Sequence, residues 1–359
     1  MSTSTSDSQP KFVPKQALAI VKDKVGAYEQ TGGIVNLQFA ETCVNLSPPF
    51  TADAMIHDNA CGSGHVSRQI VATSPPSGIR IKATDIDETF VDACQANAQA
   101  SGWPVETAVM RSESLDFPDD YFTHSIMNIA IFMTANNGLD AAKEIYRTLK
   151  SGGTAVVNCW QSMAWLQPIR EVHNATRPDH PWPLPVINWA DGTQLRKVME
   201  DAGFKSENIK ATMSDAYATT TDLHDWAETT WAYLGGILGW QESDEEKWDE
   251  AVALLEQKLR DAPGFSVSES GEIRLTARQN IVVVTKSLIT DIIPRISREP
   301  SVRMNKYRSC WVNPPAPDSS EEEERYRKFL RDVLDIDRTK IKPIETERKM
   351  ADKNPVSER

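Results

Sequence analysis

The chain has 359 residues, 40% of them hydrophobic and ten of them Trp, and this composition supplies a sizeable core. Its formal net charge of −12 would repel a phosphate backbone, so nucleic acid is not an expected partner and a small-molecule substrate is. The five Cys residues form no C-x-x-C pair, so neither a disulfide framework nor a metal site is expected. No apolar run approaches the ~18 residues of a membrane span, so no membrane partner is expected. The protein is predicted to be cytoplasmic.

The first half of the chain alternates two kinds of pattern. An amphipathic segment, KQALAIVKDKVGAYEQTGG, predicts a helix near the N-terminus. Between residues 54 and 160, five apolar runs predict strands: AMIHD, RIKATDID, VETAVM, HSIMNIAIF and GTAVVNCW. Helix-like stretches lie between them, and this alternation predicts an α/β fold with a parallel sheet covered by helices on both faces.

The second half is more varied. Residues 161–190 are rich in Pro and Trp and predict a short helix followed by an irregular lid or substrate wall. Helical patterns follow at 191–204, 224–238 and 242–262, and RQNIVVVTK is the last predicted strand. After Lys286 the pattern weakens, and NPPAPDSSEEEERYRKFLRDVLD predicts one amphipathic helix in a charged, partly disordered end.

A turn of small residues, HDNACGSG, separates the first predicted strand from the next helix. Glycines in such a turn let a ligand approach the backbone and leave N–H groups free at the helix N-terminus. A dinucleotide-binding turn would be G-x-G-x-x-G, but Ala60 and Ser67 break that pattern. Asp58 suits an ammonium group better than a pyrophosphate, and Asp85, at the end of the second strand, suits ribose hydroxyls. Ribose and an amino acid together describe S-adenosylmethionine.

A series of segments in this order resembles the class I S-adenosylmethionine-dependent methyltransferases, most of all the fungal natural-product enzymes. HDNACGSG resembles the first motif of the family and ATDID the second, and MRSESLDFPDDYF, SIMNIAIF and EIYRTLKSGGTAVVNCW resemble later ones. The resemblance covers residues 54–286. It implies a Rossmann-like seven-stranded sheet, parallel with one antiparallel strand, flanked by helices and carrying an inserted helical substrate lid.

The same resemblance implies that the chain is divided into three parts. Residues 1–53 are expected to form an N-terminal helical cap, residues 54–286 the cofactor-binding domain with lid segments at about 161–190 and 216–265, and residues 287–359 a C-terminal extension. The implied cofactor-binding residues lie in the cap, the turn and the strand ends: Tyr28, Asp58, Asn59, Ala60, Gly62, Gly64, Asp85, Ile86, Arg111, Ser112 and Asn128. Arg111 and Ser112 depart from the family, which often has Asp-Ala there.

Structural alternatives remain open for several of these residues. Asp58 would also serve as a helix-capping acid and Asp85 as an ordinary turn residue at a strand end. Tyr28 is either a cover over the cofactor or part of the core. Asn128 either contacts the methionine part of the cofactor or caps the following turn.

His173 is the candidate catalytic residue. If residues 161–174 are helical, Trp165, Ile169 and His173 share one face, near Trp160 at the end of the fifth strand. His173 would then act as the base for an oxygen acceptor. The alternative is a packed aromatic face in which the histidine has structural hydrogen-bond partners.

Three functions are compatible with these patterns. The first is transfer of a methyl group from S-adenosylmethionine to an oxygen or nitrogen of a small-molecule secondary metabolite. The second is a relative that binds the cofactor but catalyses a cyclisation or elimination, and the third is a non-catalytic regulatory protein. The sequence leaves the oligomeric state open.

Overall fold

The computed structural model describes residues 12–183, 185 and 187–288. From position 289 onward the predicted C-terminal extension, with its amphipathic helix, lies outside the described residues. Within the described ranges, no helix combines the length and the apolar composition that crossing a membrane requires.

The centre of the fold is an eight-stranded sheet. Its strands are β1 (Met55–Asn59), β2 (Arg80–Asp85), β3 (Val105–Val109), β4 (Phe122–Met127), β5 (Leu149–Met163), β6 (Ile209–Thr220), β7 (Phe265–Val267) and β8 (Ile273–Thr285). The order is β3-β2-β1-β4-β5-β8-β6, with β8 antiparallel to both β5 and β6 and the short β7 paired only with β8. The predicted Rossmann-like α/β fold is confirmed, and β7 is an eighth strand beyond the predicted seven.

The burial pattern explains the apolar runs in the sequence. All five residues of β1 are buried, and so are seven consecutive residues in the middle of β5. Strands in the interior of a parallel sheet are covered by helices on both faces, so they are buried along their length and tend to be apolar instead of alternating. In β1 the buried residues also include the polar His57, Asp58 and Asn59. Of the predicted strands, β1, β2, β4, β5 and β8 lie in the interior of the sheet, and β3 lies at its edge.

Helices cover both faces of the sheet. One face carries α3 (Ile34–Leu46) and α4 (His65–Ala72), and the opposite face carries α6 (Leu139–Thr148) and α8 (Thr193–Asp201). Adjacent residues of β1 point to opposite faces, since Met55 packs with α6 and α8 while Ile56 packs with α3 and α4. Helix α5 (Glu88–Ser101) follows β2 and packs against β2 and β3.

The remaining helices lie at the N-terminus and in the predicted lid segments. Helices α1 (Leu18–Lys22) and α2 (Lys24–Tyr28) lead through a π-helical turn, Glu29–Gly33, into α3. The lid segments contain α7 (Leu166–Thr176), α9 (Leu223–Leu234), α10 (Ser243–Glu246) and α11 (Trp248–Arg260). Helices α7, α9 and α11 share one apolar cluster with Phe39 of α3, which links the lid segments to the N-terminal helices.

Candidate functional site

The turn between β1 and α4 has an unusual backbone. Ala60, Gly62 and Gly64 all have positive φ, of 58°, 52° and 96°, a region that side chains other than glycine rarely adopt. A Cβ on Gly64 would lie 2.9 Å from Sγ of Cys94, so this glycine packs directly on α5. A Cβ on Gly62 would meet nothing within 4 Å, so the backbone there is open to a ligand.

Asp85 lies beside this turn, as the motif order predicts. One carboxylate oxygen accepts a hydrogen bond from the backbone N–H of Gly62 at 2.9 Å, and the other accepts one from the N–H of Asp87 at 3.0 Å. The two motifs, separate in sequence, thus meet at the carboxyl edge of the parallel strands, where ligands bind in such folds.

Asp58 faces the helix and not the turn. Its Oδ2 accepts hydrogen bonds from both the backbone N–H and the hydroxyl of Ser67, at 2.9 and 2.6 Å. Burial raises the pKa of this carboxyl to about 7, although the Ser67 hydrogen bonds act in the opposite direction. The structure therefore displays the helix-capping alternative for Asp58.

Asn59 links the end of β1 to the loop before β4. Its Oδ1 accepts a hydrogen bond from the buried Ser112 hydroxyl at 2.7 Å, while its Nδ2 is buried without a partner. Arg111 instead points outward, with its side chain 58% exposed and 3.5 Å from Glu113. Ile86, just after β2, is also exposed. Of the two residues that depart from the family pattern, only Ser112 contacts the end of β1.

The exit of β4 is held by a chain of amides. Asn158 on β5 accepts a hydrogen bond from the N–H of Ile129, which has a φ of 56°, and donates one to Asn128 at 2.8 Å. Asn128 in turn donates to the backbone oxygen of Asn36 at 2.9 Å. The predicted residue Asn128 is therefore tied to β5 and to the N-terminal helix α3, through two residues that sequence analysis missed.

Tyr28 lies over the start of α4. Its ring stacks on His65 with centroids 5.7 Å apart and meets Phe90 edge-on at 5.4 Å. Its hydroxyl accepts a hydrogen bond from Nδ2 of Asn36 at 2.7 Å. Burial raises the pKa of the phenol well above its usual value, so Tyr28 is neutral at physiological pH.

Glu29 is a second residue that sequence analysis missed. Its carboxylate accepts hydrogen bonds from the Ser63 hydroxyl and, at 2.9 Å, from Nε2 of His65. Burial opposes its ionisation, but the contacts with His65 and Ser63 outweigh this effect and lower the pKa. An anionic side chain of the N-terminal segment therefore lies on the turn. The only sequence signal for it is its position next to Tyr28 and a pair of glycines.

His173 is not brought to this site. It is buried in α7, where its Nε2 donates to the backbone oxygen of His180 and its Nδ1 accepts from Arg177, both at 2.8 Å. Burial lowers its pKa. Arg177 also donates to Asp244 at 2.8 Å, so the histidine belongs to a buried polar cluster between the lid helices. Both ring nitrogens have partners, as in the structural alternative.

Two surface cavities lie apart from the turn. One of about 540 Å³ is formed by α5 and β3, and one of about 590 Å³ by α7, α11 and β8. Neither is lined by a predicted site residue. The site is therefore located by its backbone geometry and hydrogen bonds, not by cavity shape.

Comparison with known proteins identifies the domain built on this turn. Residues 56–153 match a family model described as a methyltransferase domain. Over this segment the chain is similar to methyltransferase domains. The matched residues begin within β1 and include the turn, Asp85, Ser112 and Asn128.

Two proteins similar to this chain come from fungi. The chain is 23% identical to methyltransferase ktnA of Aspergillus niger over 72% of its own length and 96% of that protein. It is 26% identical to the acetylaranotin bis-thiomethyltransferase of Aspergillus terreus, over 59% of its own length and 76% of the relative. The YcgJ protein of Bacillus subtilis is a structural neighbour with 14% identity and a TM-score of 0.44, over 70% of this chain and 99% of that one. The predicted resemblance to class I methyltransferases, and to fungal secondary-metabolite enzymes among them, is confirmed.

Proposed function

We propose that the protein transfers a methyl group from S-adenosylmethionine to an oxygen or nitrogen of a small-molecule secondary metabolite. The observation that carries this proposal is the contact between Asp85 and the N–H of Gly62 inside the matched domain. It puts a carboxylate suited to ribose hydroxyls against an open glycine turn. The fungal relatives support an acceptor of the secondary-metabolite class.

The residues present fit this cofactor. Gly62 leaves open space beside the turn, and two buried polar atoms at the site lack partners. One is the donor Nδ2 of Asn59, next to the loop that the family uses for adenine, and the other is the acceptor Oδ1 of Asn36, near the β4 exit. Asp85 would hold the ribose and Ser112 and Ile86 would flank the adenine. Asn128 would border the methionine part.

The task of the protein in this reaction is to bind, orient and exclude water. When bound, the cofactor supplies an already activated methyl group. The chain then has to hold the acceptor atom in line at about 3–3.5 Å and keep the site dry. Glu29 bonds Ser63 of the turn and Tyr28 stacks on His65 at the start of α4, so the N-terminal segment would shield a bound cofactor from solvent. A neutral amine needs no base during the transfer, because the proton leaves the resulting ammonium to solvent afterwards, so the engaged nitrogens of His173 do not count against the proposal.

The identity of the methyl acceptor is tested with a panel of candidate compounds of different chemical classes. Purified protein and S-adenosylmethionine are incubated with fungal metabolite fractions, and mass spectrometry follows a 14-dalton gain together with formation of S-adenosylhomocysteine. Because one relative is named a bis-thiomethyltransferase, thiols belong in the panel beside hydroxyls and amines. Methylation of an oxygen or nitrogen supports the proposal.

Two results would contradict it. Failure to bind S-adenosylmethionine at millimolar concentration in a calorimetric titration would exclude the cofactor. Binding without any S-adenosylhomocysteine across the whole panel would favour a cyclisation, an elimination or a regulatory role. Methylation of thiols alone would correct the acceptor atom and leave the reaction class intact.

A further inference from the structure

Asn36 holds a buried acceptor that no described residue satisfies. The residue is 7% exposed, its Nδ2 donates to the Tyr28 hydroxyl at 2.7 Å, and its Oδ1 has no hydrogen-bond partner. A buried carbonyl oxygen without a donor destabilises a fold. Such an atom at a ligand site indicates that a donor arrives with the ligand.

The position of Asn36 limits which part of a ligand it meets. Its backbone oxygen accepts a hydrogen bond from Asn128 at the β4 exit, and its side chain contacts Tyr28, which stacks on His65 at the start of α4. Asn36 therefore lies between the turn after β1 and the exit of β4. Asp85 and the ribose end of the site are on the other side of the turn, at the end of β2.

One carboxylate oxygen of Asp58, the acid predicted for an ammonium group, is already engaged by Ser67. The Oδ2 of Asp58 accepts two hydrogen bonds from Ser67, and the residue is 1% exposed. An ammonium group brings three N–H donors and needs acceptors for them. Near the β4 exit, the unpartnered Oδ1 of Asn36 can supply one, and the anionic Glu29 on the same N-terminal segment adds favourable charge.

We propose that Oδ1 of Asn36 accepts a hydrogen bond from the amino group of the cofactor, an inference that rests on the function proposed above. The N-terminal segment then recognises the amino-acid end of the ligand, while Asp85 and the turn recognise the nucleoside. Nucleosides without an amino group leave the Asn36 oxygen unsatisfied, so the site discriminates against them. Asn36 is thus a specificity-determining residue for the donor.

The test compares two ligands and three variants by calorimetric titration. The ligands are S-adenosylhomocysteine and its analogue with hydrogen in place of the amino group. Asn36→Leu removes the amide at similar volume, and Asn36→Asp keeps an oxygen and adds charge. Gln38→Leu is the matched control, because Gln38 is on the same helix but bonds the backbone of Tyr217 on β6, at 2.9 and 3.1 Å.

We expect Asn36→Leu to weaken S-adenosylhomocysteine binding by about tenfold or more and to leave binding of the deaminated analogue within about threefold. Asn36→Asp should preserve or increase the preference for the amino ligand, since an added charge favours an ammonium group. A merely structural role would weaken both ligands together in both Asn36 variants. Gln38→Leu should match the wild type.

Equal losses for the two ligands, or no loss in Asn36→Leu, would overturn the inference. If Asn36→Leu does not fold, as thermal unfolding would show, the Asn36→Asp comparison decides alone: a reduced preference for the amino ligand contradicts the inference. Failure of the wild type to bind S-adenosylhomocysteine would instead contradict the proposed function, so the two failures are distinguishable.

Discussion

The carboxylate of Asp85 accepts a hydrogen bond from the backbone N–H of Gly62 at 2.9 Å, joining the end of β2 to the turn after β1. A second N–H, from Asp87, holds the other oxygen. A carboxylate offers about four lone-pair positions, so two N–H donors leave acceptor capacity for ribose hydroxyls. The carboxylate is thus oriented by the backbone around it.

Replacing Asp85 should impair cofactor binding more than folding. Asp85→Ala removes a charge-assisted acceptor, and we expect the Kd for S-adenosylmethionine to rise about tenfold or more. Asp53→Ala is the control, since Asp53 is an exposed carboxylate before β1 that is bonded by Thr51. Calorimetric titration measures the Kd of both variants. An unchanged Kd in Asp85→Ala would show that Asp85 does not bind the cofactor.

The two glycines of the turn should respond differently to alanine. In Gly64→Ala the new Cβ would meet Sγ of Cys94 at 2.9 Å with φ at 96°, and we expect a loss of about 1–3 kcal/mol in unfolding free energy. In Gly62→Ala the space is open, so the loss should be only about 1 kcal/mol, while ligand affinity falls. Urea unfolding and calorimetry separate the effects. Equal stability losses would contradict the packing difference.

Asp58 should make stability depend on pH in an unusual direction. Its pKa in the folded protein is about 7, above the ordinary value of 3.8, so the folded state binds the proton more tightly than the unfolded state. Its contribution to stability is therefore present at low pH and lost as pH rises from about 4 to about 7. Asp58→Asn keeps an acceptor for Ser67 without this titration. Relative to wild type, the variant should gain stability across that window, as measured by urea unfolding at several pH values. If the unfolding free energies of the variant and the wild type changed with pH in parallel, the prediction would be contradicted.

Glu29 should hold the N-terminal segment on the turn. Glu29→Gln weakens the contacts with Ser63 and His65, and we expect faster amide hydrogen exchange in residues 18–33 with little change in the sheet. Glu41→Gln, an exposed change on α3, is the control. Exchange rates equal to the control would show that Glu29 does not fasten the segment.

His173 should affect stability and not the chemistry. Its nitrogens are engaged by Arg177 and the His180 backbone, so His173→Gln should lower the free energy of unfolding by about 1–3 kcal/mol. The pH dependence of methyl transfer to an acceptor identified by the panel should remain that of the wild type. If the pH profile of His173→Gln lacked an ionisation that the wild type shows, His173 would be supported as the catalytic base.

Much of the fold is predictable because the buried strands contain short apolar runs. The core of β5 and the first four residues of β1 fall within their predicted segments, and the order of motifs gives the order of the strands along the chain. β6 gave no clear strand signal, because nine of its twelve residues are not fully buried and half of its sequence, IKATMSDAYATT, is polar. β7 has only three residues, too few for any periodicity.

The site is predictable where its residues adjoin a motif and not elsewhere. Asp85 and the turn come from strand ends, so their meeting follows from the topology. Glu29 lies 34 positions from Ser63, and Asn36 lies 92 positions from Asn128, and no local pattern encodes such contacts. The orientation of Asp58 toward Ser67 depends on the backbone of the turn, which the order of residues alone does not specify.

The most direct test of the central claim is a crystal structure of the protein with S-adenosylhomocysteine. We predict the ribose hydroxyls within hydrogen-bond distance of the Asp85 carboxylate and the nucleoside lying along the open side of Gly62. A nucleoside bound at another cleft, or none bound at millimolar concentration, would contradict the account.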